Sequence, residues 1–109
     1  MAHQLNLLVP AATIAARVAE LGREVSAAYG REPLVCVCVL KGAFLFFADL
    51  IRHVKTGPEI DFIRLASYGA GTSSSGNLVF SKDLEVSIED KHVLIVEDII
   101  DSGVTLSWL

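Results

Sequence analysis

The sequence predicts an α/β domain built on a mostly parallel sheet. Two observations carry that expectation. Helical and strand-like patterning follow one another in the order helix, strand, helix, strand, strand, strand, helix. The run Leu34–Leu40, LVCVCVL, is apolar on both faces, as a central parallel strand would be. The 109 residues leave room for a single domain over 1–109. With 52% hydrophobic and 20% charged residues, the chain is too apolar for intrinsic disorder. Its mean hydropathy of +0.52 is high for a small independent domain. That excess points to apolar surface meant for a partner or for further chain.

Each element has its own signal. Ile14, Val18, Leu21, Val25 and Ala28 recur at spacings of four, three, four and three, one face of a helix over 11–29. Pro10 precedes that helix and Gly30 is placed to end it. The strand over 34–40 breaks at Lys41-Gly42, and a second helix runs over 43–54 until Thr56-Gly57-Pro58 stops it. Ile60–Tyr68 reads as a strand, followed by the Gly- and Ser-rich loop GAGTSSSGN over 69–77. Leu78–Leu84 reads as a short strand and His92–Val96 as a firm one. The last residues read as the opening of another helix.

Charge, cysteines and hydropathy exclude several classes. Nine Lys and Arg against thirteen Asp and Glu give a net charge of −4, a poor match to nucleic acid. Phosphate binding would have to come from local geometry, not from the overall field. Cys36 and Cys38 would share one strand face and read as buried, reduced thiols of a cytoplasmic protein. His3, His53 and His92 are scattered without metal spacing. The stretch Leu34–Ile51 is long enough to span a bilayer, but Lys41 interrupts it. A central Lys costs about 2.5–3.5 kcal/mol on insertion scales. A buried strand, a turn and a buried helix explain the same residues without that cost, and the N-terminus lacks the features of a signal peptide. No membrane partner is expected.

The chemistry concentrates in His92–Leu106, HVLIVEDIIDSGVTL. An apolar strand ends in Glu97 and Asp98, two apolar residues follow, and Asp101-Ser102-Gly103-Val104-Thr105 opens a helix-like run. In open α/β sheets, ligands bind at the carboxyl ends of the strands. A tight loop with glycine and hydroxyls at a helix start presents backbone N–H groups to an anion. The two acids could hold ribose hydroxyls or a divalent cation. A plain strand-to-helix connection, with Asp101 or Ser102 as N-cap, is the bland alternative. The combined pattern is much rarer than either of its halves.

Val93–Thr105 resembles the signature of the type I phosphoribosyltransferases, which use 5-phosphoribosyl-1-diphosphate (PRPP). Glu97-Asp98 followed by Ile99-Ile100-Asp101-Ser102-Gly103 is similar to the hypoxanthine(-guanine) branch. Val39-Leu40-Lys41-Gly42-Ala43-Phe44 is similar to the pyrophosphate-binding loop, in which the Leu40–Lys41 peptide is often cis. Ser67-Tyr68 with the loop after them is similar to the family's flexible active-site loop. The helix carrying Arg17 and Glu20-Leu21-Gly22 is similar to its N-terminal helix.

The resemblance implies the type I phosphoribosyltransferase fold and purine salvage. A 6-oxopurine (hypoxanthine, guanine or xanthine) displaces pyrophosphate from C1 of PRPP, giving a nucleoside 5′-monophosphate. Asp101 would act as general base, or hold a proton, near N7 of the purine. Asp101, Ser102, Gly103, Val104 and Thr105 would bind the 5′-phosphate. Glu97 and Asp98 would hold the ribose hydroxyls or Mg²⁺. Leu40, Lys41 and Gly42 would hold pyrophosphate. Ser67 and Tyr68 would lie on the part that closes over PRPP and excludes water. The resemblance also implies a homodimer or homotetramer, and Phe44, Phe46 and Phe47 read as core or subunit contact.

Without the resemblance, Lys41 reads as a solvated turn residue, Ser67-Tyr68 as a strand end, and 69–77 as a connector. A non-catalytic, nucleotide-sensing relative is the second class of function. It would be expected to show a basic face, which the net charge of −4 opposes. The family's chains run on past this point, so the fold is expected to be incomplete at the C-terminus, within the helix after the PRPP loop. The purine-recognition residues would lie in that later part. A polypeptide ending at Leu109 is therefore expected to have negligible transferase activity. Inosine monophosphate formed at ordinary rates by that polypeptide alone would contradict this.

Overall fold

The computed structural model describes residues 8–67 and 78–99. Six elements lie in them: α1 (Ala11–Tyr29), β1 (Leu34–Val39), α2 (Phe44–Ile51), β2 (Glu59–Ser67), β3 (Leu78–Lys82) and β4 (His92–Val96). The helix expected after Asp101 lies outside the described residues. The four strands form one sheet in the order β3-β2-β1-β4. β1 pairs in parallel with β2, from Val35 opposite Glu59 to Val39 opposite Ile63, and in parallel with β4, from Leu34 opposite His92 to Cys38 opposite Val96. β2 and β3 pair antiparallel. The sheet is mostly parallel, as the sequence predicts.

β1 explains this arrangement. All six of its residues are buried. Cys36 and Cys38 face the helices, in a core with Val18, Phe47, Leu50 and Val96. Val35, Val37 and Val39 face the other way, against Ile63 and beneath Leu84 and Val86. Both thiols are free and buried, and burial pushes Cys36 up to about 11. The stretch read as long enough to span a membrane is thus a strand and a short helix separated by a turn. Among the described residues no helix is long and apolar enough to cross a membrane.

Both helices lie on the Cys36/Cys38 face of the sheet. They cross where Gly22 of α1 meets His53 just after α2, so closely that a Cβ on Gly22 would lie 2.8 Å from the His53 carbonyl carbon and oxygen. The Ser26 hydroxyl donates to Gly22 O and accepts from Lys55 N–H, tying the same two segments together. The apolar spacing of α1 overstates its buried face. Val18 and Gly22 are buried, whereas Ile14 is 52% exposed and Ala28 is also exposed. α2 spans eight residues rather than the twelve expected. Leu21, Val25 and Tyr29, in the later part of α1, pack against the core, whereas Ile14 near its start does not. Beyond Ile51 the chain continues in tight turns, with His53 N–H donating to Leu50 O and Val54 N–H to Ile51 O.

The opposite face is covered over β1 and β2 by the segment after β3, and Asp61 holds it there. Asp61 sits on β2 among valines and is 3% exposed. Its carboxylate accepts from the N–H groups of Phe62 (2.8 Å), Glu85 (2.7 Å) and Val86 (2.9 Å). Burial pushes the carboxyl up; the Val86, Phe62 and Glu85 donors and the Lys82 ammonium outweigh it, holding the group below its usual range.

Two outcomes follow from these contacts. Gly22→Ala should gain about 1 kcal/mol of helix propensity yet destabilise the fold overall. Overpacking against a backbone carbonyl costs about 1–3 kcal/mol, and urea denaturation reads the sign. Asp61 binds its proton more weakly folded than unfolded, so its contribution is complete above the ordinary aspartate value of about 3.9. It is lost as pH falls through the lower folded value. Asp61→Asn should flatten that acid limb of stability against pH and cost about 1.5–3 kcal/mol at neutral pH, the worth of a hydrogen bond to a charged group.

Candidate active site

The chain leaves the parallel strands β1, β2 and β4 at one edge of the sheet. Strand order turns at β1, with β2 added on one side and β4 on the other. In sheets of this kind the crevice at such a turn is where ligands bind. The loop leaving β1 carries Leu40, Lys41 and Gly42, and the loop leaving β4 carries Glu97 and Asp98.

The two loops touch. A Cβ on Gly42 would run into Asp98 Oδ2 and lie 2.9 Å from Asp98 Cγ. Only a residue without a side chain lets the β1 loop pass this close to the acid. The loop is held on its other side as well. Leu40 N–H donates to Ile63 O at 2.8 Å, and Phe44 N–H donates to Lys41 O at 3.1 Å as α2 begins. The Leu40–Lys41 peptide is cis. Lys41 and Gly42 are exposed at the mouth of the crevice.

The two acids differ in their surroundings. Glu97 is half-buried at the rim of an apolar groove of about 260 Å³ lined by Leu21, Val25, Phe46 and Leu50. Asp98 is exposed. Asp98 N–H donates to Glu97 Oε1 at 3.0 Å, and Ile99 N–H donates to Asp98 Oδ1 at 2.7 Å. Burial and the neighbouring Asp98 carboxyl hold Glu97 above the usual carboxylate range. The Ile99 donor, with the Glu97 side chain, holds Asp98 below it. Cys38, on the strand beneath, is pushed up by burial and then by Glu97.

Adjacent hard oxygen donors suit a magnesium ion, which keeps most of its water and takes one or two carboxylates together with substrate phosphates. Glu97 and Asp98 supply that number. Among the described residues no group of three or more His, Cys, Asp or Glu converges as a self-sufficient metal cage.

Of the other residues singled out from the sequence, Ser67 ends β2, paired with Leu78 of β3. It leaves the sheet on the same edge as Lys41 and Glu97. Tyr68, and Asp101, Ser102, Gly103, Val104 and Thr105, lie outside the described residues. Sequence reasoning passed over Asp61, whose only signal is one acid inside the apolar run Ile60–Ile63. Alternation alone does not say that such a residue is buried.

A family model described as "Phosphoribosyl transferase domain" matches residues 8–108. The chain is 47% identical over 109 residues to the hypoxanthine phosphoribosyltransferase of Escherichia coli K12, covering 98% of this chain and 61% of that protein. It is 46% identical over 110 residues to the hypoxanthine-guanine phosphoribosyltransferase of Bacillus subtilis, covering 100% of this chain and 61% of that protein. Among solved structures, a hypoxanthine-guanine phosphoribosyltransferase from Bacillus anthracis superposes with a TM-score of 0.87 at 41% identity, covering 98% of this chain and 63% of that one. The chain therefore spans about three fifths of the length of these relatives.

The contact between loops generates a direct test. In Gly42→Ala the new methyl should force Asp98 into a different χ1 rotamer and break its bond from Ile99 N–H. A crystal structure of the variant checks this, and an unmoved Asp98 would show that the β1 loop yields instead.

Proposed function

Because the chain belongs to the phosphoribosyl transferase family, we propose that the protein it forms part of transfers the 5-phosphoribosyl group of PRPP to a 6-oxopurine. The bond from C1 to the pyrophosphate oxygen breaks, one imidazole nitrogen of the purine bonds to C1, and the proton on the other imidazole nitrogen is lost to a base. The products are a nucleoside 5′-monophosphate and pyrophosphate, the chemistry of purine salvage. The names of the relatives favour hypoxanthine, with guanine as a second substrate.

The observation that carries this reading is the seating of Gly42 against Asp98. It brings a loop with a cation and exposed residues Lys41 and Gly42 beside a pair of acids, at a strand-end crevice. Lys41 would neutralise the departing pyrophosphate, the Lys41 and Gly42 backbone would cradle it, and Leu40, tied by its N–H to Ile63 O, would hold the start of that loop in place. Glu97 and Asp98 would orient the ribose hydroxyls and hold Mg²⁺. When bound, that ion would neutralise charge on the diphosphate. The same carboxylates would lie where positive charge develops on the sugar. Asp101 would hold the purine proton, and Ser102, Gly103, Val104 and Thr105 would take the 5′-phosphate. Ser67 and Tyr68 would shield PRPP from water. The buried, free thiols Cys36 and Cys38 favour a cytoplasmic setting. The assembly we expect is a homodimer or homotetramer.

The test is turnover by the whole protein that contains this chain. Supplied with PRPP, Mg²⁺ and hypoxanthine, guanine or xanthine in turn, it should release pyrophosphate and the matching monophosphate. Nucleotide binding without product from any of the three would favour a sensor. Asp101→Asn should lower kcat by about 10²–10⁴-fold, the usual worth of general acid–base catalysis, with PRPP affinity largely kept.

A further inference from the structure

β1 stops pairing with β2 at Val39 opposite Ile63, so from Arg64 onward β2 has, among the described residues, only β3 beside it. The paired ends, Arg64–Ser67 and Leu78–Lys82, form a two-stranded arm standing off the end of the sheet. Two strands alone are marginally stable in water. Something at the base must set the direction of this arm.

Lys82 occupies that base. Its ammonium donates to Phe62 O at 2.9 Å and to Asp83 O at 3.2 Å, and lies 3.2 Å from Glu85 and 3.5 Å from the buried Asp61 carboxylate. It therefore joins β2, the end of β3 and the segment that closes the second sheet face. Immediately beyond it the ladder shifts register between Arg64 and Leu65: Arg64 faces Lys82 but Leu65 faces Phe80. The extra residue is Ser81, and its hydroxyl donates to Arg64 O at 3.2 Å. A bulge bends and twists the strand that carries it. A fixed anchor followed at once by a bend is how a sheet aims an arm.

We infer that Lys82 is a positioning residue, which with Asp61 fixes the direction in which the paired ends of β2 and β3 leave the sheet and so tunes binding of the phosphoribosyl donor beside Ser67. The inference rests on the reading above for the identity of that donor. Neither Lys82 nor Asp61 lies in the crevice formed by Gly42, Glu97 and Asp98, so the effect is transmitted through the arm.

The experiment uses the whole protein and the variants Lys82→Met, Lys82→Arg and Glu85→Gln. It has three readouts: backbone amide exchange, calorimetric binding of PRPP with Mg²⁺, and steady-state kinetics. Lys82→Met should speed exchange at the β3 amides and leave β1 and β4 protected. It should weaken PRPP binding by about ten-fold, within the range for displacing a positioning element far from the chemistry. kcat and the KM for the purine should be nearly unchanged. Lys82→Arg should restore much of the affinity. Glu85→Gln, which leaves Asp61 paired, should shift both exchange and binding the same way but less, and it carries the test if Lys82→Met does not fold. Unchanged β3 exchange overturns the inference. So does loosening of β1 and β4 along with the arm, which is a general structural role, or arm loosening with PRPP affinity intact. A wild-type protein that binds PRPP but makes no product would refute the transferase reading while leaving the binding test in force. One that does not bind PRPP would refute both.

Discussion

β1 hydrogen-bonds to a parallel neighbour on each side and packs side chains on both faces, so it has no wet surface at all. A strand in that position cannot be joined to its parallel neighbour by a hairpin. The chain must cross over the sheet and return, and α2 is the element that does so between β1 and β2. The crossover covers one face, which is why Cys36 and Cys38 meet Phe47 and Leu50. The second face must be closed by other means. Over β1 and β2, Leu84 and Val86 cover it, in a segment held down by a buried carboxylate.

The location of the crevice follows from the same strand. With β1, β2 and β4 parallel, the chain leaves all three at one edge. Because β2 and β4 flank β1, the loops after β1 and β4 become neighbours although about 55 residues separate them in sequence. Their meeting depends on a missing side chain. At Gly42 the loop's own Cβ position is taken by the Asp98 carboxylate. Packing therefore joins a cationic loop to an acidic one without any direct bond between their charges.

Asp61 and Glu97 show how environment decides what a carboxylate does. Both pay for desolvation, but Asp61 collects three backbone N–H donors and a nearby ammonium, and its charge is secured. Among the described residues, Glu97 has one backbone donor and a second carboxyl beside it, and its proton is held more tightly. The first arrangement builds structure. The second leaves a group whose charge its neighbours do not secure.

The sequence by itself determined the order of the six described elements, the limits of α1, the central place of β1 and the grouping of acids after β4. Each is a local matter: periodicity, an apolar run of strand length, or a residue just past a strand end. The pairing of Gly42 with Asp98, the burial of Asp61, the bulge at Ser81 and the exposure of Ile14 were decided only by tertiary structure. Each depends on what a distant segment places opposite. The Asp98 carboxylate fills the space at Gly42, the backbone at Glu85 and Val86 solvates Asp61, and β3 slips by one residue against β2. Ile14, near the start of α1, stays half exposed where the described segments do not cover it. A periodic pattern shows which face of an element is apolar, but it carries no information about how far the covering element reaches. That reach is set by packing between parts of the chain far apart in sequence.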